Sequence, residues 1–391
     1  MNYDKLINGT LAELKPSGIR KFFDIAAEME DVISLSVGEP DFSTPWHIRQ
    51  EGIHTLEKGR TWYSPNAGFL ALREAISGYV SRHSHVTYDP KTEVLVTVGG
   101  SEAIDLCLRA LITPGDEVLI PEPAFVCYDP LTRMAGGVPV PLVTKAEDAF
   151  RLRADVVKAA ITPKTKLLVL PYPNNPTGAI MPREELEALA EVLRGTDIMV
   201  LSDEIYGELT YGREHVSFAA IEGMQERTIL VSGFSKAFAM TGWRLGYACG
   251  PAPVMKMMVK LHQYGLMCAP TTAQYAAIEA MNNGDEDVEK MRGEYDMRRR
   301  YIVDELNKMG LTCFEPEGAF YVFPSIQSTG LTSEEFCERL LKEKHVAVVP
   351  GNAFGDSGEG FIRISYCYSI KHITEAIRRM REFLEERGLC K

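Results

Sequence analysis

The sequence predicts an α/β fold: a large domain on a mostly parallel, helix-covered sheet, joined to a small α+β domain. Between residues 93 and 249 short apolar runs alternate with amphipathic segments of helical period, the pattern of parallel strands whose connecting helices cover both sheet faces. At 391 residues the chain exceeds what one core usually serves, and a hydrophobic content of 45% suffices for a large interior. Beyond residue 309 the pattern changes to short strands among two helices.

Residues 17–30 set Ile19, Phe22, Phe23, Ile25 and Ala26 at helical spacing behind a Pro16 breaker and a Ser17 cap, so a first helix follows an amino-terminal arm. A short strand, 32–35, runs into Gly38, which serves either as a turn glycine or as a backbone N–H offered to a ligand. Helical patterns at 46–58 and 69–81 flank a polar turn in which Tyr63 reads as a surface aromatic. The strand 93–98 ends in Gly99-Gly100-Ser101-Glu102, which opens a helix through Leu111. Free N–H groups and the helix dipole would both point at an anion there, although a glycine pair after a strand also makes a plain turn.

The strand 117–120 leads to a proline-rich turn that sets Phe125 at its carboxyl end, the edge where open α/β sheets bind ligands. Strands at 138–140, 166–170 and 198–201 and helices at 152–160 and 182–193 continue the alternation, and the sheet strands should be fully buried. Asp203 follows the strand 198–201, with Tyr206 three residues on; the carboxylate either caps the next element or takes a chemical role. The strand 228–231 delivers Ser232-Gly233-Phe234-Ser235-Lys236, with Arg244 eight residues beyond the lysine. Such an amine, set near an arginine that can clamp an anion, is suited to forming a Schiff base with a carbonyl; the alternative is a surface lysine in a glycine-rich loop.

Helices follow at 253–264, 273–281 and 285–309, the last long enough to bridge two domains. Its acidic start suits a helix N-terminus, and Arg298-Arg299-Arg300 reads as a solvated face. Strands at 319–323, 346–349 and 361–365 close the pattern. Arg363, inside an apolar strand, must meet an anion, as a structural ion pair or as a ligand clamp. His83 and His85 read as an exposed helix end rather than a metal site.

A formal net charge of -12 argues against nucleic acid as a partner. With no apolar leader and no run of membrane-spanning length, a cytoplasmic protein without a membrane partner is expected. The 8 cysteines are scattered singly, which fits a reduced compartment and no structural metal.

The Lys236 run, Ser34-Leu35-Ser36-Val37-Gly38-Glu39-Pro40-Asp41-Phe42, Pro171-Tyr172-Pro173-Asn174-Asn175-Pro176-Thr177-Gly178, Leu201-Ser202-Asp203-Glu204-Ile205-Tyr206 and Phe361-Ile362-Arg363-Ile364-Ser365-Tyr366 occur in the right order to resemble the class I/II aminotransferases, the fold-type I pyridoxal phosphate (PLP) enzymes. The resemblance covers nearly the whole chain and is strongest to aromatic amino acid aminotransferases of the aspartate aminotransferase superfamily. It implies a large domain over 46–284, a small domain combining 1–45 with 285–391, and transfer of an amino group from an L-amino acid, aromatic preferred, to a 2-oxo acid such as 2-oxoglutarate.

Residue by residue, the resemblance implies that Lys236 carries PLP and moves the α-proton, that Asp203 pairs the ring nitrogen, and that Asn175 and Tyr206 hold the phenolic oxygen while Phe125 stacks on the ring. Gly100, Ser101, Glu102, Ser235 and Arg244 would hold the phosphate, joined by Tyr63 from the neighbouring subunit of a homodimer. Gly38, Asn175 and Arg363 would bind substrate, with Ile19 closing over it and Lys15 or Arg20 available to a distal carboxylate. Gly233 departs from the family, where many relatives have a serine; Ser232 is the candidate replacement. Aspartate or an N-acetyl-diaminopimelate donor, or carbon-sulfur β-lyase chemistry, remain as alternatives. A PLP-binding transcription regulator would need a basic DNA-binding domain for which this chain has no spare residues.

Overall fold

The computed structural model describes residue 1 and residues 3–14 and 29–388. Most of the helix expected over 17–30, with Lys15, Ile19 and Arg20, lies outside the described residues. The strands, in chain order, are β1 (Ile33–Ser34), β2 (Val94–Thr97), β3 (Glu117–Glu122), β4 (Val138–Val143), β5 (Thr165–Leu170), β6 (Met199–Asp203), β7 (Thr228–Gly233), β8 (Gly246–Cys249), β9 (Tyr321–Val322), β10 (Val346–Ala347), β11 (Val349–Pro350) and β12 (Ile362–Ser365).

The strands β2 to β8 form a seven-stranded sheet in the order β2-β8-β7-β6-β5-β3-β4. The pairs β4/β3, β3/β5, β5/β6 and β6/β7 are parallel, and β8 runs against both its neighbours. Parallel neighbours need a crossover, and the loop between β7 and β8 carries only one short 3-10 turn, Thr241–Trp243, so the chain turns back instead. The apolar runs of β2 and β8 are wholly buried. The edge strand β4 departs from the expected full burial, with Val138 47% and Val143 50% exposed.

Helix Arg183–Leu193 shows why the sequence period builds these layers. Leu186, Leu189, Ala190 and Leu193 fall on one stripe and are buried, while Glu184 and Glu185 meet the positive end of the dipole. Each buried leucine contributes about 1.5–3 kcal/mol. Truncating Leu189 to alanine would cost about 2–5 kcal/mol.

The carboxyl-terminal part packs a three-stranded antiparallel sheet, β11-β12-β9, beside the parallel pair β1-β10. The apolar run 346–349, expected as one strand, divides between these sheets: Val346 and Ala347 pair with β1, Val349 and Pro350 with β12. A capping box of Thr332 and Glu335 starts helix Ser333–Lys344. Helix Asp285–Lys308 reaches two hydrophobic clusters, contributing Val288 to the one around Phe234 and Phe238, and Tyr295, Ile302 and Leu306 to the one around Phe320 and Phe336.

The arginines of that helix correct the sequence reading. Arg298 and Arg299 are each 6% exposed rather than solvated. Arg298 donates to Asp41 at 2.8 Å, and Arg299 to Asp296 and, at 2.8 Å, to Glu315. Only Arg300 of the three is exposed. His83 is likewise half-buried, 3.3 Å from the Glu208 carboxylate and 3.4 Å from that of Asp285.

Candidate active site

The carboxyl ends of β2, β3, β5, β6 and β7 open onto one cavity of about 390 Å³. Groups able to donate to an anion, those of Gly100, Ser101, Ser235 and Arg244, line its wall. Gly99 has φ +80°, and a Cβ there would lie 2.8 Å from Nη2 of Arg244, so the guanidinium packs directly on bare backbone at the helix start. The Glu102 side chain turns away from the cavity and hydrogen-bonds to His262 Nδ1 at 2.6 Å, leaving only its backbone N–H for an anion.

Asp203, 6% exposed at the end of β6, also lines the cavity. Burial pushes its carboxyl up to about 6, against the opposing effect of the Tyr128 hydroxyl, which donates to it at 2.7 Å. Lys236 Nζ donates to the Gly38 carbonyl at 2.6 Å, and desolvation pulls this amine down to about 8. Gly38 answers to space: a Cβ there would fall 1.8 Å from the Tyr321 hydroxyl oxygen.

Arg363 is 3% exposed. It donates through Nη1 to Asn175 Oδ1 at 2.9 Å and through Nη2 to the Ser36 carbonyl, and its buried Nε has no partner among the described residues. Tyr321 and Phe354 flank the guanidinium at 4.6 and 4.9 Å from their ring centroids. No carboxylate among the described residues forms a salt bridge with it, so of the two sequence readings the structural ion pair lacks its partner. A buried guanidinium with a free donor is suited to an incoming carboxylate.

Phe125, Asn175 and Tyr206 line the same cavity; Tyr63 does not, and stands 80% exposed. Ser232 does not replace the missing serine. Its hydroxyl donates to the Glu204 carbonyl at 3.3 Å and faces a second cavity of about 250 Å³. At Gly233 a Cβ would meet Gly246 Cα at 3.0 Å and the Leu245 carbonyl at 3.1 Å, so this chain leaves little room for a serine. In the second cavity Glu204 already accepts from Ser202 and Ser217 and pairs with His215, a polar network closed on itself.

Sequence reasoning missed Tyr128 and Tyr321, which both line the main cavity. A phenol inside the apolar run 319–323 was the available signal, since a buried tyrosine hydroxyl needs a partner. Here Tyr321 finds Tyr206 at 2.8 Å.

Anion donors, a buried carboxylate and an amine of lowered basicity lining one cavity fit a molecule bearing a phosphate, a protonatable ring nitrogen and a carbonyl. The sequence profile of the family "Aminotransferase class I and II" matches residues 30–380. The chain belongs to this family. It is 54% identical to the Bacillus subtilis protein YugH, over 96% of this chain and 97% of that one. An aspartate aminotransferase of Pyrococcus abyssi is 48% identical, over 96% and 97%. The solved aromatic aminotransferase of Pyrococcus horikoshii superposes with a TM-score of 0.90 at 46% identity, covering 95% of this chain and 100% of that one. The protein is thus an aminotransferase of the fold-type I superfamily, and its cofactor is pyridoxal 5'-phosphate. Among its described residues no His, Cys, Asp and Glu cluster is placed to hold a metal, and no helix is long and apolar enough to cross a membrane.

Proposed function

We propose that this aminotransferase takes its amino group preferentially from aromatic L-amino acids and passes it to a 2-oxo acid such as 2-oxoglutarate. The observation that carries the preference is the charge of the cavity. Its described lining holds three cations, Lys236, Arg244 and Arg363. The proposed roles use all of them: Lys236 for the cofactor, Arg244 for its phosphate, Arg363 for the substrate α-carboxylate. A distal carboxylate, of aspartate or of the acceptor, would need a cation from elsewhere, for which the sequence offers Lys15 and Arg20. An aromatic ring needs none and gains about 2–3 kcal/mol from burial.

PLP, when bound, supplies the electron sink that makes the substrate's α-proton removable. Lys236 would hold it covalently, and its Nζ, as a free amine, would accept and return that proton. Asp203 holds the proton on the ring nitrogen, and Phe125 supports the ring. Tyr206 and the amide NH2 of Asn175, whose Oδ1 is occupied by Arg363, donate to the phenolic oxygen. Gly100, Ser101, the Glu102 backbone, Ser235 and Arg244 take the phosphate.

The same reading makes the active unit a homodimer in which Tyr63 reaches the phosphate of the partner subunit. Exposed Trp62 and Tyr63, together with Leu56, Tyr264, Leu266 and Met267, supply the apolar surface such an interface needs. It also divides the chain into a large domain over 46–284 and a small one from 1–45 and 285–391, and sets Ile19 over the substrate.

The test is kcat/KM for a panel of amino donors with one fixed acceptor, since that ratio reports differential transition-state binding. Tyrosine and phenylalanine should lead. Aspartate or N-acetyl-diaminopimelate ahead by tenfold, about 1.4 kcal/mol, would refute the aromatic preference and leave the aminotransferase in place.

A further inference from the structure

We infer that Tyr321 is a positioning residue that joins Tyr206 to Arg363, so that the cofactor's phenolic oxygen responds to what the arginine holds. The inference rests on the proposed role of Tyr206 as a donor to that oxygen.

The Tyr206 and Tyr321 hydroxyl oxygens lie 2.8 Å apart, and both residues are buried. A phenol has one proton to give. If Tyr206 spends its proton on the cofactor, Tyr321 must supply the proton of the bond between the two, and the donors then run in one direction, Tyr321 to Tyr206 to the phenolic oxygen. Bonds in such a chain polarise one another, so the outer hydroxyl strengthens the inner donation. The same ring lies under the Arg363 guanidinium at 4.6 Å. A cation over a phenol face favours the electron-rich ring and makes its O–H the better donor. A substrate carboxylate on Arg363 offsets that cation, weakens the chain, and raises the basicity of the nitrogen joining cofactor to lysine. Tyr321 also meets the segment that holds Lys236: its hydroxyl oxygen occupies the space of a Gly38 Cβ, and Lys236 Nζ donates to the carbonyl of that glycine.

Sequence position alone gives Tyr321 a packing role, and the experiment separates its hydroxyl from its ring. The readouts are the pH midpoint of the visible absorption band in holoenzyme and the Kd of 3-phenylpropionate, a carboxylate with no amine to react. Tyr321→Phe should raise the midpoint by a few tenths of a pH unit, the roughly 10–30% that an outer hydrogen bond adds to a charge-assisted inner one, and leave 3-phenylpropionate binding within about twofold. Tyr321→Leu should give the same shift and also weaken that ligand about tenfold, because Arg363 loses its ring. In a Tyr206→Phe background, which itself raises the midpoint, Tyr321→Phe should add nothing.

A wild-type midpoint in Tyr321→Phe, alongside a raised one in Tyr206→Phe, overturns the inference alone. Additive shifts in the double variant overturn it too. An unshifted Tyr206→Phe overturns the underlying reading of Tyr206 and the inference with it.

Discussion

Arg363 and Asn175 face each other across a buried hydrogen bond of 2.9 Å, the guanidinium donating through Nη1 to Oδ1. The pair connects the proposed carboxylate clamp with a donor to the cofactor and leaves Nε of the arginine open. Arg363→Lys keeps the charge but loses the planar fork, so kcat/KM should fall by about 10²–10³ for every donor alike. A loss confined to one class of donor would move Arg363 from the shared carboxylate to the side-chain pocket.

Asp203 trades stability for chemistry. Its carboxyl titrates at about 6 in the folded protein against an ordinary value of 3.8, so the folded state holds its proton more tightly than the unfolded chain. The contribution is therefore intact below the unfolded value and lost as pH rises through about 6. Cofactor-free Asp203→Asn should accordingly be more stable than wild type at pH 8, by up to about 3 kcal/mol, with the gap closing towards pH 4. Holoenzyme turnover should drop by about 10²–10³, the charge-assisted pair with the ring nitrogen being gone. Denaturant midpoints of the apoprotein across pH decide the first part, and steady-state rates the second.

Desolvation sets Lys236 at about 8, and only its free amine attacks a carbonyl. The rate at which apoprotein takes up cofactor should therefore rise about tenfold per pH unit below this value and level off above it. Stopped-flow mixing across pH reads the midpoint, and a midpoint near the ordinary lysine value of 10.5 would contradict the desolvated amine.

The paired arginines of helix Asp285–Lys308 should differ in worth although they are adjacent. Arg299→Ala removes a buried cation from Asp296 and Glu315 and should cost about 2–3 kcal/mol. Arg300, 70% exposed, also reaches Asp296, and Arg300→Ala should cost no more than about 0.5 kcal/mol. Urea midpoints of the two variants make the comparison.

What the sequence made legible was local. Apolar runs such as Leu167 to Leu170, and the residues that directly follow them, fall where strand periodicity puts them, so Gly100, Asp203 and Lys236 could be set at strand ends before any coordinates. Contacts between distant segments were not legible. Arg298 meets Asp41 and Arg299 meets Glu315, and no periodicity within the helix reveals such partners. The run 346–349 is apolar throughout, which fixes its burial but not its division between two sheets. Tyr128 carries no signal of a site role, because a buried ring looks the same whether its hydroxyl serves packing or a site.

The account turns on Lys236 as the residue that carries the cofactor. Borohydride reduction of the holoenzyme fixes the cofactor to its lysine, and peptide mass spectrometry then locates it. The predicted result is a single modified peptide with the label on Lys236, and no visible band in Lys236→Ala protein. A label on another lysine, or a reducible band persisting in that variant, would contradict the account.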